Sequence, residues 1–201
     1  MTSLGVLALQ GDFAEHEGVL DKLNVAVRQV RLPADLDALD GLILPGGETT
    51  TFRRLLSEYG LIQPLREAAD RGMPLWGTCA GLIALAKDLE GPEDPIIGVL
   101  DIGVRRNAFG RQLESFEVDL AVPLLGEPAF HAVFIRAPSI TRVGPRVQVL
   151  AQLADGAPVA VTQGNLMATV FHPELTRDPR LHAYFLGLVK HARGSAYAAA
   201  H

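Results

Sequence analysis

The chain has 201 residues, a formal net charge of −5 and 48% hydrophobic residues, enough apolar content to bury a full core in one domain. Its 18 Lys and Arg are scattered, which argues against a nucleic-acid partner, and no apolar run reaches the length of a membrane span. The single cysteine excludes an intrachain disulfide, no Cys-x-x-Cys or His-x-x-x-His spacing marks a metal site, and a reducing, cytoplasmic compartment fits.

Residues Leu4 to Leu9 are continuously apolar, as expected for a strand covered on both faces of a parallel sheet. This run is too short for a signal-peptide core and ends in Gln10-Gly11-Asp12, which is turn chemistry. A helix is predicted over Phe13 to Leu23, a strand over Val25 to Val30 and a buried strand over Gly41 to Pro45, ending in Gly46-Gly47. Helical patterns at Thr50 to Ser57 and Pro64 to Arg71 lead to an apolar strand at Met73 to Trp76 and a further apolar run from Leu82 to Ala86. Strand alternating with helix predicts an α/β fold, a three-layer doubly wound, mostly parallel mixed sheet with helices on both faces.

After Leu89 the texture changes. Short, partly alternating segments at Leu113 to Leu120, Phe130 to Ile135, Val147 to Leu153, Pro158 to Thr162 and Leu166 to Phe171 read as antiparallel or mixed strands added to the same sheet. A helix from Arg180 to Ala192 closes the fold, with a frayed tail at 194–201. No repeat or linker divides the chain, so residues 1–201 are expected to form one domain.

Cys79 stands in Gly77-Thr78-Cys79-Ala80-Gly81, between an apolar strand and an apolar run. A sharp strand-to-helix turn lifts such a side chain out of the sheet, and the flanking glycines admit backbone where a Cβ would collide. The helix start beyond it favours a thiolate. The plainer reading of a lone cysteine is a buried structural one. A thiol nucleophile needs a base, and the base needs a group to orient it. His172-Pro173-Glu174 supplies both: in extended chain residues two apart point the same way, so Glu174 can hold one ring nitrogen and leave the other for Cys79. Solvated surface is the default for His16, His131, His182, His191 and His201, and also for Glu15, Glu17, Glu114 and Glu117.

Pro45-Gly46-Gly47-Glu48-Thr49-Thr50 follows a parallel strand and should emerge at the same carboxyl edge as Cys79. There Gly47 can present its N–H to a developing oxyanion, with the Ala80 N–H as second donor. A phosphate-cradling loop is the rival, weakened because no Gly-Lys-Ser/Thr follows, and a plain turn is the third reading.

Ala8-Leu9-Gln10-Gly11-Asp12-Phe13, Leu44 to Thr50, Gly77 to Gly81, Arg105-Arg106-Asn107-Ala108-Phe109-Gly110-Arg111-Gln112, Phe134-Ile135-Arg136-Ala137-Pro138 and Phe171 to Glu174 together resemble the glutaminase subunit family of pyridoxal 5'-phosphate synthase, within the class I, triad-type glutamine amidotransferases. The resemblance covers nearly the whole chain. It implies a flavodoxin-like glutaminase domain that hydrolyses L-glutamine without cofactor or metal and passes ammonia to a separate synthase subunit in a large hetero-oligomer. By that match Cys79 is the nucleophile, His172 the base and then acid, and Glu174 the orienting residue. Gly46, Gly47, Glu48 and Thr49 would contact glutamine, Arg106, Ile135 and Arg136 would line its site, and Gln10 would couple the oxyanion loop to the partner. The family usually has serine where this chain has Thr49.

Two other classes use parts of the same pattern. An α/β-hydrolase-type cysteine hydrolase would share the elbow but normally places its acid before the histidine, and a non-enzymatic redox-sensing module would share only the cysteine.

Overall fold

The computed structural model describes residues 2–106 and 115–199, with side chains through residue 194. The Asn107 to Gln112 portion of the arginine-bearing motif, Glu114 and His201 lie outside the described residues.

The first half alternates strand and helix: β1 (Ser3–Leu7), α1 (Phe13–Lys22), β2 (Ala26–Val30), β3 (Gly41–Leu44), α2 (Thr49–Glu58), α3 (Ile62–Asp70) and β4 (Leu75–Thr78). The second half contains α4 (Ala80–Leu85), β5 (Ala86–Leu89), β6 (Leu100–Arg105), β7 (Ser115–Leu120), β8 (Phe130–Ile135), β9 (Ser139–Val143), β10 (Gln148–Gln152), β11 (Pro158–Gln163), β12 (Leu166–Thr169) and α5 (Arg180–Ala199). A seven-stranded sheet runs in the order β10-β11-β12-β4-β3-β1-β2. β2, β1, β3, β4 and β12 are mutually parallel, and β11 and β10 extend the sheet antiparallel beyond β12.

Every residue of β3, β4 and β12 is buried. Successive strand residues face opposite sides, so continuous burial requires a cover on both faces, and the apolar runs in these segments supply it. α1 and α5 meet on one side, where His16 touches His182, and α5 packs on the sheet through Trp76 and Phe185, whose ring centroids are 5.5 Å apart. α2 and α3 carry their buried residues, Phe52 and Leu56, Leu65 and Ala68, at helical spacing into the same core.

The structure corrects three expectations. The later strands do not all join the main sheet: β5, β6 and β9 form a separate three-stranded sheet and β7 and β8 a two-stranded ribbon. Local alternation fixes which face of a strand is buried but not its partner. β5, β6 and β9 were not expected as strands at all. The final helix extends past Ala192 to Ala199, as its alanine content favours. Among the described residues no helix is long and apolar enough to cross a membrane.

Candidate active site

β4 ends at Thr78, and the next residue turns out of the sheet with φ 47° and ψ −101° at Cys79. A non-glycine residue with positive φ is strained, and such strain persists only where the surroundings impose it. The surroundings here are explicit. The Cys79 N–H still donates to the carbonyl of Thr169 at 2.9 Å, continuing the β4–β12 ladder, while α4 begins one residue later. A Cβ on Gly81 would overlap the carbonyl of Leu44, and one on Gly77 would overlap the backbone of Gly81 and Leu82. The two glycines therefore let α4 start against the ends of β3 and β4, which forces the thiol upward.

His172 comes from the neighbouring strand. Thr169 pairs with Thr78 in parallel register, so Val170, Phe171 and His172 carry the chain past the sheet edge beside Cys79. The His172 N–H donates to the carbonyl of Val133 in β8 at 2.8 Å, which fixes the loop to the ribbon. Pro173 opens a short 3-10 turn, and Glu174 within it places Oε1 2.8 Å from Nδ1 of His172. Both side chains are buried. Burial opposes a charged imidazole, but bonding to Asp12, Cys79 and Glu174 outweighs it and pushes His172 up to about 12. Burial pushes Glu174 above the usual carboxylate range, against the bond and charge of His172.

A cavity of about 300 Å³ opens over the thiol, lined by Asp12, Gly47, Glu48, Thr49, Cys79, Ile83, Arg106, Ile135, Arg136, Pro138 and His172. Thus Cys79, His172, Gly47, Glu48, Thr49, Arg106, Ile135 and Arg136 converge on one space, drawn from five separate segments. Arg136, like Cys79, holds a positive φ, 43°. The carbonyl of Ile135 lies 4.0 Å from Sγ of Cys79. Glu174, Gly46, Ala80 and Gln10 sit behind this lining. Gly46 backs the His172 ring so closely that a Cβ there would overlap it, and Ala80 is the first residue of α4. Gln10 accepts the N–H of Glu48 at 3.1 Å.

The Glu48 carboxylate accepts the N–H groups of Thr50 and Thr51 at 2.9 and 2.6 Å, capping α2. Those two backbone donors hold it down at about 2. Arg106 bonds Glu93 at 2.7 Å, and Glu93 also faces Arg53 at 3.2 Å, so one carboxylate tethers two guanidinium groups at the cavity rim.

Three lining residues were missed by sequence reasoning: Asp12, Ile83 and Pro138. Asp12 places Oδ2 3.3 Å from Nδ1 of His172, whereas the sequence marks it only as turn chemistry and as part of the Ala8 to Phe13 motif. Its position at the carboxyl edge of β1, next to Gln10, was the available signal. The surface default for His16 and His182 also fails, because both are fully buried. His16 lies three and four residues before Val19 and Leu20, which are buried with it, and this helical spacing marked an inward face. Asp12, His172 and Glu174 bring one potential metal ligand each within 4.8 Å of one another. To bind a cation there, Nδ1 of His172 would have to surrender its bond to Glu174.

This arrangement, a cysteine elbow, a buried His–Glu pair and a glycine loop at the carboxyl edge of a parallel sheet, has the layout of a triad-type thiol enzyme. Residues 6–191 match the model of the SNO glutamine amidotransferase family, and the chain belongs to that family. It is 57% identical to the pyridoxal 5'-phosphate synthase subunit PdxT of Herpetosiphon aurantiacus over 189 residues, covering 92% of this chain and all of that one. Identity to the subunit PdxT of Deinococcus radiodurans is 56%, over 92% of this chain and 96% of that one. A crystal structure of a glutamine amidotransferase superposes with a TM-score of 0.88 at 54% identity, covering 93% of this chain and 98% of the other.

Proposed function

We propose that this chain hydrolyses L-glutamine to L-glutamate and ammonia, and delivers the ammonia to a synthase subunit that makes pyridoxal 5'-phosphate. The observation that carries the reading is the buried 2.8 Å contact between Nδ1 of His172 and Oε1 of Glu174, set beside a strained Cys79 in the same cavity. The similarity to PdxT subunits supports the pathway and the partner. A hydrophobic cluster that runs from β1 through α5 supports taking 1–201 as one glutaminase domain.

The raised His172 favours a thiolate–imidazolium pair. The Cys79 thiolate attacks the side-chain amide carbon of glutamine, and its oxygen takes up the negative charge, held by the N–H groups of Gly47 and Ala80. His172 gives its proton to the amide nitrogen, which leaves as ammonia and a glutamyl thioester remains. Neutral His172 then takes a proton from water, the hydroxide attacks the thioester, and collapse releases glutamate and regenerates the thiolate beside imidazolium. Glu174 keeps Nδ1 protonated throughout, so that Nε2 is the nitrogen that exchanges protons. Arg106 or Arg136 meets the α-carboxylate, for which a guanidinium offers paired donors. Gln10 links this loop to the partner.

Cys79→Ala tests the mechanism. Assayed with the synthase subunit, it should lose glutamine turnover while keeping its circular dichroism, and ammonium salt should restore pyridoxal 5'-phosphate formation. Glutamine hydrolysis surviving in that variant refutes the mechanism, and a wild-type rate indifferent to the synthase refutes the partner.

A further inference from the structure

Behind Glu174 lies a second pair of imidazoles that the triad does not use. His16 of α1 and His182 of α5 are fully buried, with Nδ1 of His16 3.0 Å from Nε2 of His182. The other nitrogen of His16, Nε2, lies 3.4 Å from Oε2 of Glu174 and 3.3 Å from the hydroxyl of Thr78. Trp76 packs edge-on against both rings, with centroids 5.8 Å from His16 and 4.8 Å from His182.

The protons in this line can be assigned by elimination. His172 occupies only Oε1 of Glu174, and the approach of His16 at 3.4 Å is longer than a full-strength hydrogen bond, so Oε2 is left under-donated in a buried place. A bare Nε2 lone pair facing that oxygen would add repulsion, so the His16 tautomer that relieves it carries the proton on Nε2, with the Thr78 hydroxyl as a second acceptor. Nδ1 of His16 is then an acceptor, and His182 must donate from Nε2. That leaves Nδ1 of His182 as a lone pair, and among the described residues this is the buried imidazole nitrogen without a partner. A buried unpaired acceptor is tolerated better than a buried unpaired N–H, so the direction of the chain is self-consistent.

We infer that His16 is a positioning residue for glutamine hydrolysis: its Nε2–H, with the tautomer set by His182, holds Glu174 as the oriented carboxylate that in turn holds His172. This rests on the glutaminase reading above. The titratable groups facing Glu174 are His172, His16 and Asp12, and those facing His16 are His182, His172 and Glu174. Burial first, then the charges of His182 and His172, holds His16 well below the usual imidazole range, and burial takes His182 to about 3. Both rings are therefore neutral donors, supporting the carboxylate without competing with the His172 imidazolium for it.

Two variants of the synthase-bound protein separate positioning from packing. His16→Met keeps volume but removes the donor, and His16→Gln keeps a donor. His16→Met should lower kcat by about 10- to 100-fold, the range that loss of an orienting partner costs behind a metal-ligating side chain. KM should change by no more than about threefold. Glu174, with one donor fewer, should protonate more readily, so the acid limb of the kcat/KM profile should move up by about one pH unit. His16→Gln should recover most of the rate and return the limb. A rate loss in His16→Met with an unmoved limb, and no recovery in His16→Gln, overturns the inference in favour of packing alone.

Nitrogen-15 imidazole spectra of the wild-type protein test the same claim whether or not the variants fold. The inference requires neutral Nε2–H forms of His16 and His182 at neutral pH, and a charged or Nδ1–H His16 overturns it. Wild-type protein without glutamine turnover would instead overturn the glutaminase reading, so the two failures are distinguishable.

Discussion

The side-chain oxygen of Gln10 accepts the backbone N–H of Glu48 at 3.1 Å, tying the end of β1 to the glycine loop that borders the thiol. A Cβ on Gly47 would overlap the Gln10 amide, so the two groups are in close contact as well as bonded. Gln10→Ala removes the acceptor and opens space beneath Gly47. A single neutral hydrogen bond contributes about 1 kcal/mol, so global stability should change little. The loop carries a proposed oxyanion donor, whose loss typically costs about 100-fold or more in kcat, and partial misplacement should cost roughly tenfold. Steady-state kinetics with the synthase present check this, and an unchanged kcat would show that Gln10 does not set the loop.

Gly46 and His172 make a sharper test, because a Cβ on Gly46 would overlap Cε1 of the imidazole. Gly46→Ala should shift the ring from its place beside Cys79, and a displacement of about 1 Å in a catalytic group costs on the order of 100-fold in rate. The strain should cost about 1 to 3 kcal/mol of stability. Turnover and thermal unfolding measured on the same preparation decide whether the rate falls as expected in a folded protein. Full activity would mean that the loop yields instead of the ring.

The strain at Cys79 predicts an inverted stability order. In relaxed backbone glycine is roughly 0.5 to 1 kcal/mol worse than alanine, but a positive φ of 47° penalises alanine and not glycine. Cys79→Gly should therefore unfold at a temperature at least as high as Cys79→Ala, with a difference of up to about 2 kcal/mol in its favour. Both should be inactive. Alanine more stable than glycine by the ordinary margin would show the turn to be relaxed.

The centre of the parallel sheet was legible because β3, β4 and β12 are covered on both faces and so read as short apolar segments, as at Gly41 to Leu44, whereas the edge strand β2 carries exposed Arg28 and Gln29. β5, with its exposed Lys87 and Asp88, has no such signature, and the pairing of β7 with β8 depends on a ribbon leaving the sheet, which no local pattern encodes. In the site, Cys79, His172 and Glu174 were legible because their chemistry is displayed in short motifs. His16 and His182 were not, since buried neutral histidines lie against the usual preference of that residue type, and only the helical register of Val19, Leu20 and Phe185 points them inward.

Arg106 is held at the rim by Glu93, 2.7 Å away, within a network that also takes in Arg53. If Arg106 meets the α-carboxylate of glutamine, Arg106→Ala should raise KM by about tenfold or more, the cost of one charge-assisted contact, with a smaller effect on kcat. Arg106→Lys keeps the charge but loses the paired donors and should recover only part of the loss. Comparison of glutamine with an analogue lacking the α-carboxylate checks the assignment: the variant should discriminate between them less than the wild type. Equal discrimination would move the role to Arg136.

The two neutral histidines give stability a definite pH dependence. In the folded chain His182 is lowered to about 3 and His16 lies well below its ordinary value, both chiefly by burial, whereas in the unfolded chain each titrates near 6.5. Between about 3 and 6.5 the unfolded state binds more protons than the folded state, so stability rises with pH across that window. The contribution is complete above about 6.5 and is lost as pH falls, at roughly 1 kcal/mol per pH unit for each fully neutral imidazole. His172, raised to about 12, acts in the opposite sense: it contributes fully below about 6.5 and is lost as pH rises toward 12. Glu174, also raised, opposes the two histidines in the upper part of the acid window. The contribution of His182 is isolated by difference: urea unfolding of wild type and His182→Gln at pH 7.5 and 5.0 should show the variant losing less stability on acidification, by about 1 to 2 kcal/mol. Equal acid losses in the two proteins would mean that His182 is already protonated in the folded chain.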